Sequence, residues 1–599
     1  MKSLGASLHL GASVQDDGAT FRVWAPRCRS VDVLIDGRRP ERMKAREDGV
    51  FEAGLPGVSA AARYYYRLNG EHYRPDPVSR YQPAGVHGPS MVVDPSQFPW
   101  TDQGFRGHAL ADLVLYELHV GAYTTTGTFE AVIGHLPALV DLGVTAIEIM
   151  PVAEFPGSRN WGYDGVGLFA PQSTYGGPRG LRRLVDAAHA AGVSVVLDVV
   201  YNHLGPEGNY LGEFGPYFTE RYKTPWGSAI NFDGPDAEGV RRHFLENARM
   251  WVREFHVDGL RLDAIHSIFD TSPVHILTEI ADAVREEARL LGRPVHVTAE
   301  SHDNDRTIVL PSEEGGLGLD AVWSDDFHHA LHARLTGEHA GYYGDFREGR
   351  PLVRALVEGF AFQGEPSEYF GRPRGTPSAD LPGERFVFSI QNHDQVGNRV
   401  LGDRLGTIVS FEAVKLAAGL LFAAPAIPLL FMGEEYGETA PFQFFTSFLD
   451  RKLAEAVRSG RTAEFSRFAW EGTIPDPAEP ATFVRSRLSH TLAGAPRHRE
   501  LRDYYHRWLT LRQAHPALGT RNKDLVSGGL DDAGRVLTLT RGAPSGARVR
   551  LVANLTSTPQ SVQPPPESRI LIDSEDRRFA GTPPRKPLAP YQLILYELK

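Results

Sequence analysis

The sequence predicts an α/β protein in which a parallel (β/α)8 TIM barrel is flanked by an N-terminal and a C-terminal β-sandwich. Two observations indicate this fold class: eight short apolar runs alternate with longer helical stretches in the middle of the chain, and alternating apolar and polar residues occupy both ends. In addition, no Gly-rich dinucleotide fingerprint or phosphate-binding loop follows any of the apolar runs. A closed barrel is therefore favoured over an open doubly wound sheet.

The N-terminal sandwich is predicted for residues 1–90. The stretch FRVWAPRCRSVDVLIDG from Phe21 alternates apolar and polar residues, and ARYYYRLNG from Ala62 repeats the pattern before a turn. The stretch YRPDPVSRYQPAGVHGPS from Tyr73 is rich in Pro and Gly, which indicates a connector to the next domain.

The barrel is predicted for residues 91–517, with an excursion after the third strand at about 204–235. Segments such as LRRLVDAAHAAG and SFEAVKLAAGLLFAAP have the apolar spacing of helices that cover a sheet. The eight predicted strands are LVLYELHV at 113, VTAIEIMPV at 144, VSVVLDVVYNH at 193, VDGLRLDAI at 257, PVHVTAES at 294, LDAVWSDD at 319, RFVFSIQNHD at 385 and AIPLLFMGEE at 426.

The C-terminal sandwich is predicted for residues 518–599. The segments RVLTLTR, ARVRLVANLT and YQLILYELK again alternate apolar and polar residues and are separated by Pro and Gly.

Composition limits the classes of function. With 599 residues the chain is too long for a single hydrophobic core, and its net charge of -11 provides no electrostatic reason to expect a nucleic-acid partner. Cys28 is the only cysteine, so an intramolecular disulfide and a four-cysteine zinc site are excluded. Neither a signal peptide nor an apolar run of about 18 residues is present. We therefore expect a cytoplasmic protein with no membrane partner.

Polar residues cluster at the C-terminal ends of the predicted strands, where barrel enzymes carry their chemistry. Each one alone is more often a helix cap or a hydrogen-bonded structural residue. Several acids close together are unfavourable without a function, because burying unpaired carboxylates costs free energy. The clustered residues are His119, Asp198, Asn202, His203, Arg261, Asp263, Glu300, His393 and Asp394.

Glycoside cleavage uses such a set. A retaining enzyme needs one ionised carboxylate as nucleophile and one protonated carboxylic acid, separated by roughly 5 to 5.5 Å. Arg261 lies two residues before Asp263 on the same strand face and is expected to keep that carboxylate ionised. Glu300 follows the apolar VHVTA, which predicts a raised pKa and an acid and base role.

Four of these stretches, DVVYNH at 198, GLRLDAIHS at 259, VTAES at 297 and IQNHDQ at 390, resemble in order and placement the signature regions of the α-amylase family of glycoside hydrolases. The resemblance implies three catalytic acids: Asp263 as nucleophile, Glu300 as general acid and base, and Asp394 as a third acid that grips the sugar hydroxyls. The substrate-binding residues that it implies are Tyr163, His203, Arg261 and His393, with Asp198 and Asn202 as supports of the acids.

Further stretches indicate a subfamily. FRVWAPRCRSVDVLI resembles the sandwich that precedes the barrel in branching enzymes, isoamylase-type debranching enzymes and maltooligosyltrehalose trehalohydrolases, and WGYDGVGLFAPQSTYGGP, WSDDFHHALH and FMGEEYGETAPFQFF resemble the last of these most closely. The resemblance implies cleavage of the α-1,4 bond next to the terminal trehalose of a malto-oligosaccharide. It also implies a pathway partner, the maltooligosyltrehalose synthase. A 1,4-α-glucan branching enzyme and a non-catalytic glucan-binding scaffold are the alternatives.

The stretch WSDDFHHALH allows two hypotheses. Asp325, His328 and His332 have a spacing that could ligate a metal on a helix face. Alternatively, Asp325, Asp326, Phe327 and His328 could contact the leaving trehalose, and Asp326 and His328 are the contacts that we predict. We predict no cofactor and no required metal, although Asn202 matches part of a calcium site found in some family members.

Two features of FMGEEYGETAPFQFF also stay open. Its glutamates could be first-turn acids of a helix or could line the acceptor side, and its phenylalanines could form a sugar-stacking wall or pack in the core. The residues concerned are Glu434, Glu435, Phe442, Phe444 and Phe445.

Overall fold

The computed structural model describes residues 10–465, 474–582 and 587–599. Eight parallel strands close into a barrel in sequence order. The predicted fold class is confirmed by this barrel, a two-sheet N-terminal domain and a strand-rich C-terminal part. The barrel strands, first to eighth, are Leu115–Leu118, Ala146–Ile149, Ser194–Val199, Gly259–Leu262, His296–Glu300, Ala321–Trp323, Phe386–Ser389 and Ile427–Phe431.

Each barrel strand is short and apolar because it is covered on both sides. Helices pack on the outside, and inward-pointing side chains such as Leu115, Val196 and Leu429 fill the interior. The register pairs Asp198 with Arg261 on adjacent strands, so polar side chains of neighbouring strands lie at one level.

The helices around the barrel differ greatly in length. The described α-helices of the whole chain are Val120–Tyr123, Phe129–Ile133, Leu136–Leu142, Gly177–Ala190, Leu211–Phe214, Ala237–Phe255, Ile276–Leu291, Asp325–Thr336, Arg350–Glu358, His393–Gly397, Leu405–Ile408, Phe411–Ala423, Arg451–Phe465, Pro480–Arg485, Pro496–Ala514 and Pro516–Gly519.

Short antiparallel hairpins project from the barrel. The excursion after the third strand carries Phe218–Thr224 paired with Gly227–Ile230. The connection between the sixth and seventh strands carries Pro366–Ser367 paired with Arg372–Pro373, and Ala153–Glu154 pairs with Gly167–Pro171.

The N-terminal domain consists of two antiparallel sheets. Its side chains reach the barrel, since Trp24 packs edge-on against Tyr217 and Arg80 forms an ion pair with Glu254 at 3.0 Å. One sheet contains Gly11–Gln15, Gly18–Trp24, Val50–Pro56 and Lys44–Ala45, and the other contains Glu41–Arg42, Val31–Ile35, Arg63–Leu68, His72–Arg74 and Ser90–Met91.

The C-terminal strands form one five-stranded antiparallel sheet next to the barrel helix Phe411–Ala423. The fully buried Lys415 of that helix forms an ion pair with Glu575 at 3.1 Å. In sheet order, the strands are Val526–Leu530, Val536–Gly542, Arg548–Asn554, Leu593–Leu598 and Ser568–Asp573.

None of the helices in the described ranges is both long and apolar enough to cross a membrane.

Candidate active site

The C-terminal ends of the third, fourth, fifth and seventh strands bring most of the predicted polar residues to one mouth of the barrel. Asp198 and Arg261 lie near the ends of adjacent strands, and Asp263 is the first residue after the fourth. Glu300 is the last residue of the fifth strand. Asp394 lies in the short helix His393–Gly397 after the seventh, which is capped by the Asn392 side chain.

Arg261 connects three of the carboxylates. Its Nη1 donates to Asp198 Oδ2 at 2.7 Å and to Asp263 Oδ1 at 2.8 Å, and its Nη2 donates to Glu300 Oε2 at 2.8 Å. The guanidinium also lies over the Trp323 ring, 4.4 Å from its centroid. One buried cation therefore balances several acids and holds Asp263 and Glu300 side by side.

The backbone after the fourth strand completes this arrangement. Asn202 Nδ2 donates to the Asp263 side chain at 2.7 Å and to its carbonyl at 2.6 Å. Ala264 has a positive φ of 39°, which is unfavourable for a residue with a Cβ, and its N–H donates to Glu300 Oε2 at 2.9 Å. The strained turn thus orients both Asp263 and Glu300.

Asp394 is the third acid at the mouth and lines the same cavity as Glu300. Asn398 Nδ2 donates to its Oδ1 at 2.6 Å. Burial raises the pKa of Asp394, as does the nearby Glu300 carboxylate, against the opposing effect of His393.

Tyr163 and the two histidines form the other side of the mouth. The Tyr163 hydroxyl lies 2.7 Å from Asp198 Oδ2 and 2.7 Å from His393 Nε2, and its ring stacks on that of His393. His203 Nε2 lies 2.9 Å from the Tyr163 carbonyl oxygen. Burial lowers the pKa of His203 to about 4, so its imidazole is neutral near pH 7.

A half-exposed indole covers His203. Trp226, at the tip of the hairpin on the excursion, stacks on the His203 ring at a centroid distance of 4.2 Å with the planes 5° apart. The sequence did not single out this residue, because only the fold places the hairpin tip beside the third strand.

A cavity of about 350 Å³ opens beside Glu300 and Asp394. Asp325 lines it, together with His302 and the aromatic side chains of Tyr342 and Phe370. Burial raises the pKa of Asp325 to about 7, with contributions from the Glu300 and Asp394 carboxylates.

Two predicted substrate contacts lie outside this cavity. Asp326 is fully buried and accepts hydrogen bonds from Asn304 Nδ2 at 2.6 Å and from the backbone N–H groups of Ala361 and Phe362. His328 is 3% exposed, and its Nδ1 lies 2.8 Å from the Ile390 carbonyl oxygen. The reason is the helical phase: neighbours on the helix Asp325–Thr336 point about 100° apart, so Asp325 and His329, one turn later, line the cavity, whereas Asp326 and His328 do not.

The structure does not bring the alternative metal-binding set together either. Asp325 accepts a hydrogen bond from Gln395, whereas His332 Nε2 contacts Glu338 at 2.9 Å.

The open features of FMGEEYGETAPFQFF are resolved as interior packing. Glu434 and Glu435 are buried and contact tyrosine hydroxyls. Phe442 and Phe445 are fully buried, and Trp161 stacks on Phe442. Phe444 is partly buried and packs edge-on against Trp161.

His119, which follows the first strand, caps the helix Val120–Tyr123 by accepting from the Ala122 N–H at 3.0 Å.

Glu117 is a further charged residue that contacts the site. It lies in the first strand, is 1% exposed and accepts a hydrogen bond from the backbone N–H of His393 at 2.9 Å. The only signal in the sequence was a glutamate inside the apolar run LVLYELHV.

Most of the chain is similar to named proteins. The family described as "Alpha amylase, catalytic domain" matches residues 102–224, and "Carbohydrate-binding module 48 (Isoamylase N-terminal domain)" matches residues 9–94. A malto-oligosyltrehalose trehalohydrolase from Saccharolobus solfataricus is 49% identical over 80% of this chain and 83% of its own length. One from Rhizobium sp. is 42% identical over 94% of this chain and 95% of its own.

Among solved structures, the chain is similar to a crystal structure described as an alpha amylase from Salmonella typhimurium. The match has a TM-score of 0.90 and 42% sequence identity, and it covers 98% of this chain and 99% of that chain. A 1,4-alpha-glucan branching enzyme from Corynebacterium jeikeium is 28% identical over 72% of this chain and 62% of its own length. The branching enzymes are thus a more distant match than the trehalohydrolases.

Proposed function

Because the chain belongs to the malto-oligosyltrehalose trehalohydrolases of the α-amylase family, we propose that its barrel mouth hydrolyses the α-1,4-glucosidic bond next to the terminal trehalose of a malto-oligosaccharide. The products are trehalose and a malto-oligosaccharide. The observation that carries the mechanism is the contact of one guanidinium, that of Arg261, with both Asp263 and Glu300.

The contact with one guanidinium keeps the two carboxyl groups close together, as in retaining glycosidases. Glu300 protonates the glycosidic oxygen while Asp263 attacks the anomeric carbon, which forms a glycosyl-enzyme and releases trehalose. Glu300 then removes a proton from water, and the hydroxide displaces Asp263 from the anomeric carbon. Two inversions leave the product in the α configuration.

Arg261 and Asn202 prepare Asp263 for this attack. Arg261 Nη1 and Asn202 Nδ2 both donate to the carboxylate and restrict its orientation. Asp394 is the third acid and binds neighbouring hydroxyls of the reacting sugar. Tyr163 provides the aromatic surface for an apolar sugar face; His393 stacks on its ring, and His203 contacts its carbonyl oxygen.

The cavity beside Glu300 receives the trehalose that leaves. Tyr163 is not among its lining residues, and it combines Asp325 with aromatic side chains, a pairing suited to sugar hydroxyls and sugar faces. Asp326 and His328 are left out of this assignment because both are satisfied inside the protein.

The test is incubation with maltooligosyltrehalose and measurement of free trehalose by chromatography. Asp263→Asn, Glu300→Gln and Asp394→Asn each keep the shape of the side chain and remove its charge, so each is expected to lose nearly all turnover while the fold persists. Near wild-type turnover in any one of them would show that its assignment is wrong.

The same proteins, assayed on maltooligosyltrehalose and on a linear glucan, distinguish the hydrolase from the two alternative functions. A branching enzyme would form new α-1,6 bonds in a linear glucan and release no trehalose, and a binding scaffold would show no hydrolysis to lose in Asp263→Asn. We place the enzyme in the cytoplasm, where a synthase would supply its substrate; the single cysteine is compatible with that compartment.

A further inference from the structure

The first barrel strand contributes a buried acid that lies beneath the Tyr163 platform. Glu117 contacts His393 twice: Oε2 accepts from the His393 backbone N–H at 2.9 Å, and Oε1 contacts Nδ1. Both side chains are at most 3% exposed, so water does not compete for these contacts.

A series of hydrogen bonds continues from His393 to Arg261. His393 Nε2 lies 2.7 Å from the Tyr163 hydroxyl, which lies 2.7 Å from Asp198 Oδ2. Asp198 in turn accepts from Arg261 at 2.7 Å. One line of hydrogen bonds therefore joins the first strand to the residue that holds Asp263 and Glu300.

Counting hydrogens along this line fixes the charge of His393. Burial raises the pKa of Asp198 to about 7, so above that pH its carboxylate is ionised and can only accept the single hydrogen of the Tyr163 hydroxyl. His393 Nε2 must then donate to the Tyr163 oxygen. Since Nδ1 faces the Glu117 carboxylate, it carries a hydrogen too, and the ring is an imidazolium.

We propose that Glu117 is a positioning residue of the hydrolysis, which keeps His393 as an imidazolium and thereby directs the Tyr163 hydroxyl to Asp198. A neutral His393 with its hydrogen on Nδ1 would instead accept the hydrogen of Tyr163. Asp198 would then lose a donor, and Arg261 would be drawn more strongly to Asp198, away from Asp263 and Glu300. This inference rests on the proposed roles of those two acids.

The charges around His393 favour the imidazolium. Burial alone lowers the pKa of His393, but the Glu117 carboxylate raises it to about 9, with Asp394 adding to the effect. The other titratable groups nearby are Arg261, Asp198, Tyr163, Glu148 and His119, of which Arg261 opposes the charge.

Glu148 provides a matched control variant. It pairs with Glu117 in the register of the first two strands and is as deeply buried, yet neither of its carboxylate oxygens has a hydrogen-bond partner within the described ranges. Burial, followed by the Glu117 charge, raises its pKa well above the usual range. Glu148→Gln consequently removes a carboxyl group at the same depth without breaking a hydrogen bond to His393.

The experiment compares kcat/KM for maltooligosyltrehalose in Glu117→Gln, Glu148→Gln and the wild type across pH. Without the carboxylate, burial is expected to bring the His393 pKa below its ordinary value of about 6.5, with the Asp394 charge opposing this decrease. The rate of Glu117→Gln relative to the wild type should then be reduced by about tenfold or more near pH 8, and this deficit should shrink as the pH falls below about 6, with Glu148→Gln within about twofold of the wild type throughout.

A Glu117→Gln deficit that is the same at every pH would overturn the inference, because a purely structural role lowers the rate uniformly. Neutron diffraction of the wild-type enzyme near pH 8 tests it without a variant: deuterium is expected on both ring nitrogens of His393, and deuterium on only one would contradict the proposal. Failure of the wild type to release trehalose would refute the proposed function instead, whatever the protonation of His393.

Discussion

At the residue scale, the unusual feature is a single buried arginine shared by three carboxylates. Unpaired charges inside a protein are strongly unfavourable, so the acids are tolerated because Arg261 contacts each of them. The sequence predicted the proximity of Arg261 and Asp263, since they are two apart on one strand. It could not predict the contacts with Asp198 and Glu300, which depend on the register between strands.

Asn202→Ala is expected to lower kcat by about tenfold to a hundredfold with a much smaller change in KM, because it removes two hydrogen bonds that orient Asp263 but touches no substrate. Steady-state kinetics on maltooligosyltrehalose measure both constants. Asn554→Ala is the control: Asn554 is buried in the C-terminal sheet, so this variant should lose stability but keep kcat. Equal kcat in Asn202→Ala and the wild type would contradict the role of Asn202.

At the element scale, strands were predictable and helical phase was not. All eight apolar runs contain the barrel strands, because covering on both faces forces a continuous apolar sequence. The segment after the sixth strand was also expected at the mouth, but the residues of its helix that line the cavity are Asp325 and His329 rather than Asp326 and His328. One position of error on a helix turns a side chain by about 100°.

Helix Phe411–Ala423 offers a test of how the C-terminal sheet is held. Lys415 contacts Glu575 and two backbone carbonyl oxygens in a fully buried environment. Lys415→Met leaves a buried carboxylate without its cation, and we expect a loss of about 3 to 5 kcal/mol in the free energy of unfolding. Hydrogen exchange of the strand Ser568–Asp573 should show the loss locally.

The matched control is the exposed ion pair of Arg569 with Glu597. Arg569→Met is expected to cost less than about 1 kcal/mol, because solvent screens such pairs. If Lys415→Met and Arg569→Met changed hydrogen exchange equally, the buried pair would not be what anchors the sheet.

At the scale of the whole molecule, the three-part arrangement followed from changes in periodicity along the chain, whereas the contacts that join the parts did not. Arg512 and Arg541, from the last long helix and the C-terminal sheet, donate to carbonyl oxygens at the end of helix Phe411–Ala423. Buried arginines of this kind satisfy backbone groups that the helix leaves unpaired. Neither residue has a sequence signal that distinguishes it from a surface arginine.

Buried titratable groups set the pH range of stability for the molecule as a whole. On the acidic side, burial lowers the pKa of His119 and of His203 to about 4, below the ordinary value of 6.5. The unfolded chain takes up these protons first, so stability falls as the pH drops from about 6.5 towards 4. On the alkaline side, burial raises the pKa of Glu434 and of Glu154 to about 8, above the ordinary value of 4.5. The folded state keeps protons that the unfolded chain has released.

Glu434→Gln should therefore flatten the alkaline side of the stability curve. Between about pH 4.5 and 8 the folded protein binds the Glu434 proton and the unfolded chain does not. The stability that this group contributes is therefore fully present below about pH 4.5. It is lost as the pH rises through the window, by up to about 1.4 kcal/mol per pH unit. Glutamine has no proton to release, and the free energy of unfolding of Glu434→Gln should decline less steeply than that of the wild type over that window. Denaturant unfolding at several pH values measures the two slopes. The exposed substitution Glu313→Gln should leave the slope unchanged, and parallel curves for Glu434→Gln and the wild type would show that Glu434 is already ionised in the folded enzyme.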